Sequence, residues 1–204
     1  MQRKNNYTDK SQNTIHVIGI DASGFNGLSI SQTELILQAK KIAGPERVLE
    51  VFSNWWIQKK LDIEQPELIS NKNTRELIQW LKSENESTVL LSSGDPLWFG
   101  IGRQLLSNIP SNRLHFHPSV TSLQIAFSRL GRPWQDASWI SIHGREPEAL
   151  ANQLQKQPSA LAILTDPNRG GAKEVKTFVQ GLGLEEIYDF WIFEQLGHKN
   201  EKIQ

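Results

Sequence analysis

Short apolar segments rich in β-branched residues alternate with helix-length segments along the chain, and this alternation limits the folds that the chain can adopt. The first such segment, Thr14 to Ile20, reads TIHVIGI and is followed by a stretch containing glycine and serine. Strands separated by helix-length segments form βαβ units, whose right-handed crossovers produce parallel sheets covered by helices. The pattern therefore predicts an α/β fold with largely parallel sheets.

The same pattern predicts a chain of two lobes. Ser31 and Glu34 form a capping-box pattern for the first helix, which Gly44 and Pro45 end, and 54–73 is typical of a long loop or a poorly patterned helix. Pro118 cannot donate to a central ladder and marks the boundary between the lobes. We predict a disordered tail over 1–13, an N-terminal α/β lobe over 14–117 and a C-terminal α/β lobe over 118–204. Further strands are predicted over 47–52, 88–92, 113–117, 138–143, 160–164 and 188–193, and further helices over 74–83, 97–106, 121–130, 146–155 and 172–180.

Charge and cysteine content exclude several functions. The chain has 22 basic and 22 acidic residues, whereas a nucleic-acid-binding protein usually has a surplus of Lys and Arg, so no nucleic-acid partner is expected. It has no cysteine, which excludes disulfides and thiol nucleophiles, and no metal site is expected. The polar start of the chain is unlike a signal peptide, and nowhere do about 18 apolar residues run together, so we expect a cytoplasmic protein without a membrane partner.

Ligands of open α/β sheets bind beyond the carboxyl ends of the strands, so the loops at these ends hold the candidate site residues. The first loop, 19–24, reads GIDASG and approaches the dinucleotide fingerprint G-x-G-x-x-G. Asp21 replaces its second glycine, and a carboxylate there would repel a pyrophosphate. This disfavours a nicotinamide-dependent oxidoreductase. A strand-to-helix turn that binds nothing is the alternative for this loop.

The second loop, 92–102, reads SSGDPLWFGIG. Ser93 and Asp95 can cap the helix that follows, and Gly94 allows close backbone approach. Capping alone explains Asp95, but the density of glycine favours contact with a ligand. The loops over 118–122 and 164–167 are explained by caps and turns. His143 and Arg145, at the end of another strand, are each more typical of structural roles.

Several segments together resemble one family. SSGDPLWFGIGRQLL at 92–106, HPSVTSLQIAFSRLGRPWQDA at 117–137 and SIHGR at 141–145 are similar to tetrapyrrole methylases. PERVLE at 45–50 and FEQLGHKNEKI at 193–203 fit in order. The RLG-PWQDA and HGR segments resemble the precorrin-6Y C5,15-methyltransferase branch, in particular its C5-methylating subunit. That subunit is also described as cobalt-precorrin-7 C5-methyltransferase.

The resemblance implies that S-adenosyl-L-methionine binds in the cleft between two α/β lobes, with S-adenosyl-L-homocysteine as product. Asp21 and Ala22 depart from the family's Gly-Pro, and Val48 replaces a usual His. The residues implied to contact the cofactor are Gly19, Ala22, Gly24, Ser93, Gly94, Asp95, Thr121, Ser122, Leu164 and Thr165.

The resemblance also implies a carboxylate-rich corrin precursor as substrate, for which arginine forks are suited. The candidate clamps are Arg103, Arg129, Arg132 and Arg145. Asp95 and His143 are candidate proton acceptors, and no catalytic base is assigned. We expect a homo-oligomer, a dimer, and a separate partner that methylates C15 and removes a carboxyl group. Family chains continue with another strand, so the C-terminal lobe is expected to be shortened at its end.

Three other functions remain open from the sequence. A different tetrapyrrole methylase specificity would be distinguished by mapping the product. A binding homologue that has lost turnover would be distinguished by titration with S-adenosylhomocysteine. A nucleotide-binding oxidoreductase is the third and is disfavoured by Asp21.

Overall fold

The chain folds into two α/β units that are divided between Thr121 and Ser122. The structure is a computed structural model that describes residues 13–70, 73–142, 148–166 and 170–204. The N-terminal unit contains β1 (Ile15–Ile20), α1 (Ile30–Gln38), β2 (Lys41–Gly44), α2 (Glu46–Lys59), β3 (Glu67–Ser70), α3 (Thr74–Ser83), β4 (Thr88–Ser93), α4 (Gly102–Leu106) and β5 (Leu114–His117). The C-terminal unit contains α5 (Ser122–Arg129), β6 (Ser138–Ser141), α6 (Glu148–Gln155), β7 (Leu161–Leu164), α7 (Gly171–Gly181), β8 (Phe193–Glu194) and β9 (Lys202–Ile203).

The sheet of the N-terminal unit is parallel throughout, with the strand order β3-β2-β4-β1-β5. The chain leaves β1 toward β2 on one side, and it leaves β4 toward β5 on the other side. The strand order therefore reverses between β1 and β4. Such a switch point opens a crevice beyond the carboxyl ends of the two strands, where α/β proteins bind ligands.

Helices cover the two faces of this sheet, and successive strand residues supply the two hydrophobic clusters. Ile18 and Ile20 of β1 lie in one cluster with buried residues of α1 and α2. Ile15 and Val17 lie in the other cluster with buried residues of α3 and α4. A parallel sheet that is covered on both faces agrees with the apolar runs of β1 and β4.

The first helix differs from its prediction in its cap and its end. The Ser29 hydroxyl accepts a hydrogen bond from the Gln32 N–H at 3.2 Å, and the Gln32 side chain accepts one from the Ser29 N–H at 2.9 Å. The capping box is therefore Ser29–Gln32, and the predicted Ser31–Glu34 pair was wrong. The helix ends at Gln38 because Ile42 and Ala43 pair with β4 as part of β2.

The strand predicted over 47–52 was also wrong, since this segment lies in α2. Its apolar residues continue at helical spacing into two tryptophans, and these residues form one buried stripe: Val48, Leu49, Phe52, Trp55 and Trp56. Pro45 begins this helix, because its carbonyl accepts the N–H groups of Val48 and Leu49. The stretch 54–73 holds the end of α2 and β3.

For several of the remaining segments, the predicted type of element agrees with the structure. The helix predicted over 74–83 is confirmed as α3. In the C-terminal unit, β6 and β7 form a parallel pair, and a hydrophobic cluster joins them to α6 and α7. The strand predicted over 188–193 is reduced to Phe193 in β8, because its partner β9 is only two residues long. Within the described part of the chain, no helix is both long enough and apolar enough to cross a membrane.

Candidate active site

Three loops converge at the crevice of the N-terminal unit because residue 19 has no side chain. A Cβ atom placed on Gly19 would lie 2.7 Å from the Ser119 Oγ and 2.8 Å from the Gly94 carbonyl oxygen. The loops after β1, β4 and β5 can therefore approach one another only with glycine at this position. The Ser119 hydroxyl is buried and has no hydrogen-bond partner among the described residues. Ser119 was absent from the predicted site, although it lies in the HPSVTS stretch that carries the family resemblance.

Gly94 is required for a different reason. It has a φ of +67°, and its N–H donates to the Ile20 carbonyl at 2.7 Å, so it ties the end of β4 to the end of β1. A Cβ atom at this position would have no atom within 4 Å. The space beside Gly94 is therefore open, as the backbone approach of a ligand requires.

Asp95 connects the second and third loops through backbone amides. Its Oδ1 accepts the N–H groups of Leu97 at 2.8 Å and Trp98 at 3.1 Å, and its Oδ2 accepts the Ser119 N–H at 3.2 Å. The expected cap therefore closes a turn at 95–98, and α4 begins only at Gly102. These contacts give Asp95 a positioning role.

The other two glycines of this loop are explained by the loop itself. A Cβ atom on Gly100 would lie 2.7 Å from the Asp95 carbonyl oxygen, and one on Gly102 would lie 2.6 Å from that of Pro96. The glycine density that favours a ligand in the sequence is thus partly a requirement of the turn, and Gly94 alone of these three faces open space.

The first loop is held by its own carboxylate and by an aromatic anchor. The Asp21 Oδ1 accepts the Ser23 N–H at 2.8 Å and the Ser23 hydroxyl, and the Gly24 N–H donates to the Asp21 carbonyl at 3.0 Å. The Phe25 ring packs against Phe52 and Trp55 of α2, with centroid distances of 5.5 and 5.3 Å. Ala22 and Gly24, both predicted cofactor contacts, therefore lie in a loop that is fixed at both ends.

Arg47 reaches the crevice and was missed in the sequence. It lies in the first turn of α2, and its Nη2 donates to the Ser93 Oγ at 2.8 Å. Ser93 is a predicted cofactor contact at the end of β4. The family resemblance of the PERVLE stretch was the one feature of the sequence that pointed to this arginine.

Three of the predicted arginine clamps lie in described parts of the two units. Arg103 is exposed on α4. Arg129 forms a two-bond ion pair with Glu201, with distances of 2.6 and 3.2 Å, and this hydrogen bonding lowers the pKa of Glu201. The Arg132 Nη2 donates to the Ser159 carbonyl at 2.9 Å. Both guanidinium groups are therefore engaged within the C-terminal unit.

Four further predicted cofactor contacts lie at the ends of helices and strands. Ser122 begins α5 directly after Thr121, and Leu164 ends β7 directly before Thr165. His143 and Arg145 lie outside the described residues. Within the described ranges, no group of His, Asp and Glu residues is arranged to hold a metal ion.

A parallel sheet with a glycine-lined crevice at its switch point defines an α/β protein that can bind a small cofactor beyond its strands. Residues 14–204 match the family model of tetrapyrrole (corrin/porphyrin) methylases. The chain belongs to this family. It is accordingly a methyltransferase that uses S-adenosylmethionine.

Two curated relatives are similar over most of the chain. A probable cobalt-precorrin-7 C(5)-methyltransferase of Methanocaldococcus jannaschii is 27% identical over 197 residues, which cover 93% of this chain and 87% of that protein. A decarboxylating precorrin-6Y C(5,15)-methyltransferase of a Sinorhizobium species is 27% identical over 187 residues. The match covers 92% of this chain but only 43% of the Sinorhizobium protein.

Solved structures share the fold at lower identity. A precorrin-6Y methylase of Archaeoglobus fulgidus superposes with a TM-score of 0.64 at 20% identity, over 95% of this chain and 89% of that one. A uroporphyrin-III C-methyltransferase of Thermus thermophilus, solved with S-adenosylhomocysteine, has a TM-score of 0.59 at 16% identity, over 94% and 86% of the two chains. These likenesses establish a common architecture.

Proposed function

We propose that this chain methylates C5 of a late corrin precursor, precorrin-6Y or cobalt-precorrin-7, in cobalamin biosynthesis. The observation that carries this specificity is the similarity to the Methanocaldococcus protein, which extends over 93% of the chain. The RLG-PWQDA segment, which resembles the same branch, supports it.

The crevice fits the cofactor of the family. Gly94 leaves open space where a ligand can approach the backbone, and the Ser119 hydroxyl at the same edge has no hydrogen-bond partner among the described residues. Gly19, Ala22, Gly24, Ser93, Gly94 and Asp95 would form the N-terminal unit's part of the binding site, and Thr121, Ser122, Leu164 and Thr165 are proposed to complete it. When bound, S-adenosylmethionine supplies a methyl group that its sulfonium already activates.

The chain's own residues then have to bind the cofactor and the corrin precursor and orient them toward each other, because an activated donor needs no protein nucleophile. Asp95 holds the second and third loops together through three backbone N–H groups, so we assign it to positioning rather than to proton transfer. Arg103 is exposed and belongs to none of the ion pairs found among the described residues, so it can meet a substrate carboxylate.

The test is product mapping with methyl-labelled S-adenosylmethionine. The purified chain is incubated with precorrin-6Y and, separately, with cobalt-precorrin-7, and the labelled carbon is located by mass spectrometry and nuclear magnetic resonance. Label at C5 is the expected result. Label at another carbon would indicate a different tetrapyrrole specificity. Intact S-adenosylhomocysteine binding without transfer to either substrate would indicate a homologue that has lost turnover.

We further propose a cytoplasmic homodimer that works beside a separate protein for C15. The Sinorhizobium relative has about twice the matched length, and its name includes C15 methylation and decarboxylation. Light scattering should give twice the chain mass of 23.2 kDa. With precorrin-6Y as substrate, the product of this chain alone should keep its carboxyl group and lack the C15 methyl group.

A further inference from the structure

Arg47 has the chemistry and the location of an anion-binding residue, although none of the implied ligand contacts includes it. Guanidinium groups have five N–H donors in a planar fork that matches a carboxylate. The Arg47 Nη2 donates a hydrogen bond to the Ser93 Oγ at 2.8 Å. None of the ion pairs among the described residues includes Arg47, and the residue is exposed.

The sheet fixes this arginine at the crevice. β2 lies directly beside β4, and a Cβ atom on Gly44, at the end of β2, would lie 3.1 Å from the Leu91 carbonyl oxygen. The close approach of these two strands brings the first turn of α2 to the end of β4. The bond to Ser93 then holds the guanidinium at the residue that directly precedes Gly94, and Gly94 faces open space.

An aromatic anchor further along α2 holds this helix against the segment that follows the first loop. Phe52 and Trp55 lie on the same helix as Arg47, and both pack against Phe25, which directly follows the first loop. The hydrogen bond to Ser93 restricts the Arg47 side chain on this anchored helix, so the guanidinium loses less freedom when it binds an anion.

From this geometry we propose that Arg47 binds a carboxylate of a ligand that lies over Gly94. This inference rests on the proposed function, which offers two sources of a carboxylate. One source is the amino-acid part of the cofactor, and the other is a side chain of the corrin precursor.

The experiment compares Arg47→Met with Arg75→Met. Arg75 is an exposed arginine in the first turn of α3, which follows the edge strand β3. It is therefore matched to Arg47 in residue type and helix position, but the strand before its helix, β3, is not a neighbour of β4, whereas β2 lies beside β4. Calorimetry measures binding of S-adenosylhomocysteine and of 5′-methylthioadenosine, which lacks the carboxylate, and steady-state kinetics measures the KM for cobalt-precorrin-7.

A carboxylate from the cofactor predicts that Arg47→Met weakens S-adenosylhomocysteine binding by about 10-fold or more and leaves methylthioadenosine binding unchanged. A carboxylate from the substrate predicts unchanged binding of both nucleosides and a KM for the corrin that rises by about 10-fold or more. Arg47→Lys, which keeps the charge without the fork, should lose less than Arg47→Met in either case. Arg75→Met should match the parent in all three measurements.

Two results would overturn the proposal. In the first, Arg47→Met matches the parent in all three measurements. In the second, the variant loses methylthioadenosine binding as strongly as S-adenosylhomocysteine binding, which would mean that Arg47 maintains the shape of the loop. If the parent itself does not methylate the corrin, the proposed function fails, and the comparison of the two nucleosides then decides the inference about Arg47 by itself.

Discussion

At the scale of the residue, two positions of the crevice require glycine for different physical reasons, so substitutions at them should have different effects. Gly19 is needed because the Ser119 side chain and the Gly94 carbonyl occupy the place of a Cβ atom. Gly94 has open space where a Cβ atom would lie, and glycine is favoured there because of the positive φ. A side chain at position 94 would therefore leave the protein's own packing intact and project into the space assigned to the ligand.

We expect Gly94→Val to abolish S-adenosylhomocysteine binding while the fold survives. Gly183→Val is the control, because Gly183 has a φ of +66° with no atom within 4 Å of a Cβ position and lies in the C-terminal unit after α7. Both variants should lose about 1 to 2 kcal/mol of stability from backbone strain. Calorimetry that finds normal cofactor affinity in Gly94→Val would show that this loop serves only as a turn.

Asp95→Asn distinguishes a positioning carboxylate from a proton acceptor. The amide of Asn cannot accept all three backbone N–H groups that Asp95 satisfies, so we expect a loss of about 1 to 3 kcal/mol in unfolding free energy together with weaker S-adenosylhomocysteine binding. Asp62→Asn, at an exposed position after α2, controls for the change in net charge. A variant of Asp95 that keeps its stability and cofactor affinity but loses turnover would instead identify a base.

At the scale of the element, burial decides which sequence patterns could be interpreted correctly. The helix over 74–83 has one apolar face and was predicted with its correct bounds. The segment 47–52 has four apolar residues in six positions, of which Val48, Leu49 and Phe52 are buried while Val51 is 47% exposed. A strand was the natural prediction from such a run, and only the packing of α2 against the sheet excludes it.

Sheet order explains why part of the site could be predicted and part could not. Gly94 and Asp95 follow a strand with a strong apolar pattern, so they were found. Arg47 becomes a crevice residue only because β2 lies beside β4, and β2 has four residues without a pattern of its own. Contacts of this kind depend on which strands are neighbours, and a single sequence does not encode that in any local signal.

The pair β1 and β5 makes a prediction about pH. His16 of β1 faces His115 and His117 of β5, and its Nδ1 lies 3.1 Å from the His117 Nε2. Burial, followed by the charges of His117 and His115, lowers the pKa of His16 from 6.5 to about 4. Burial, followed by the charge of His115, also lowers the pKa of His117.

A lowered histidine pKa means that the unfolded chain binds a proton that the folded chain does not bind. Stability should therefore be complete above about pH 6.5, fall as the pH decreases toward 4, and change no further from this group below that pH. Urea unfolding at several pH values should show a weaker pH dependence in His16→Gln than in the parent. His198→Gln, at an exposed position of the C-terminal unit, should keep the parental dependence, and an equal dependence in His16→Gln would refute the assignment.

At the scale of the whole molecule, the fold is retained at identities where residue roles cannot be transferred by similarity. The Archaeoglobus methylase shares the architecture at 20% identity, and the Thermus enzyme at 16%. The architecture explains this, because the crevice is produced by strand order and by a few glycines. The ligand that stabilises the folded chain is therefore a more direct test of its class than the fold.

S-adenosylhomocysteine should raise the melting temperature of the full chain, and NAD should not. A ligand that binds only the folded state at about 100 times its Kd stabilises that state by roughly 2.7 kcal/mol. NAD has a pyrophosphate, which the Asp21 carboxylate would repel at the first loop, whereas the donor's sulfonium and ammonium groups are compatible with a carboxylate nearby. The Gly94→Val variant should lose the shift with S-adenosylhomocysteine, which links the effect to the crevice. Stabilisation by NAD alone would contradict the assignment to the methyltransferases, because it would mean that the first loop binds a dinucleotide despite its carboxylate.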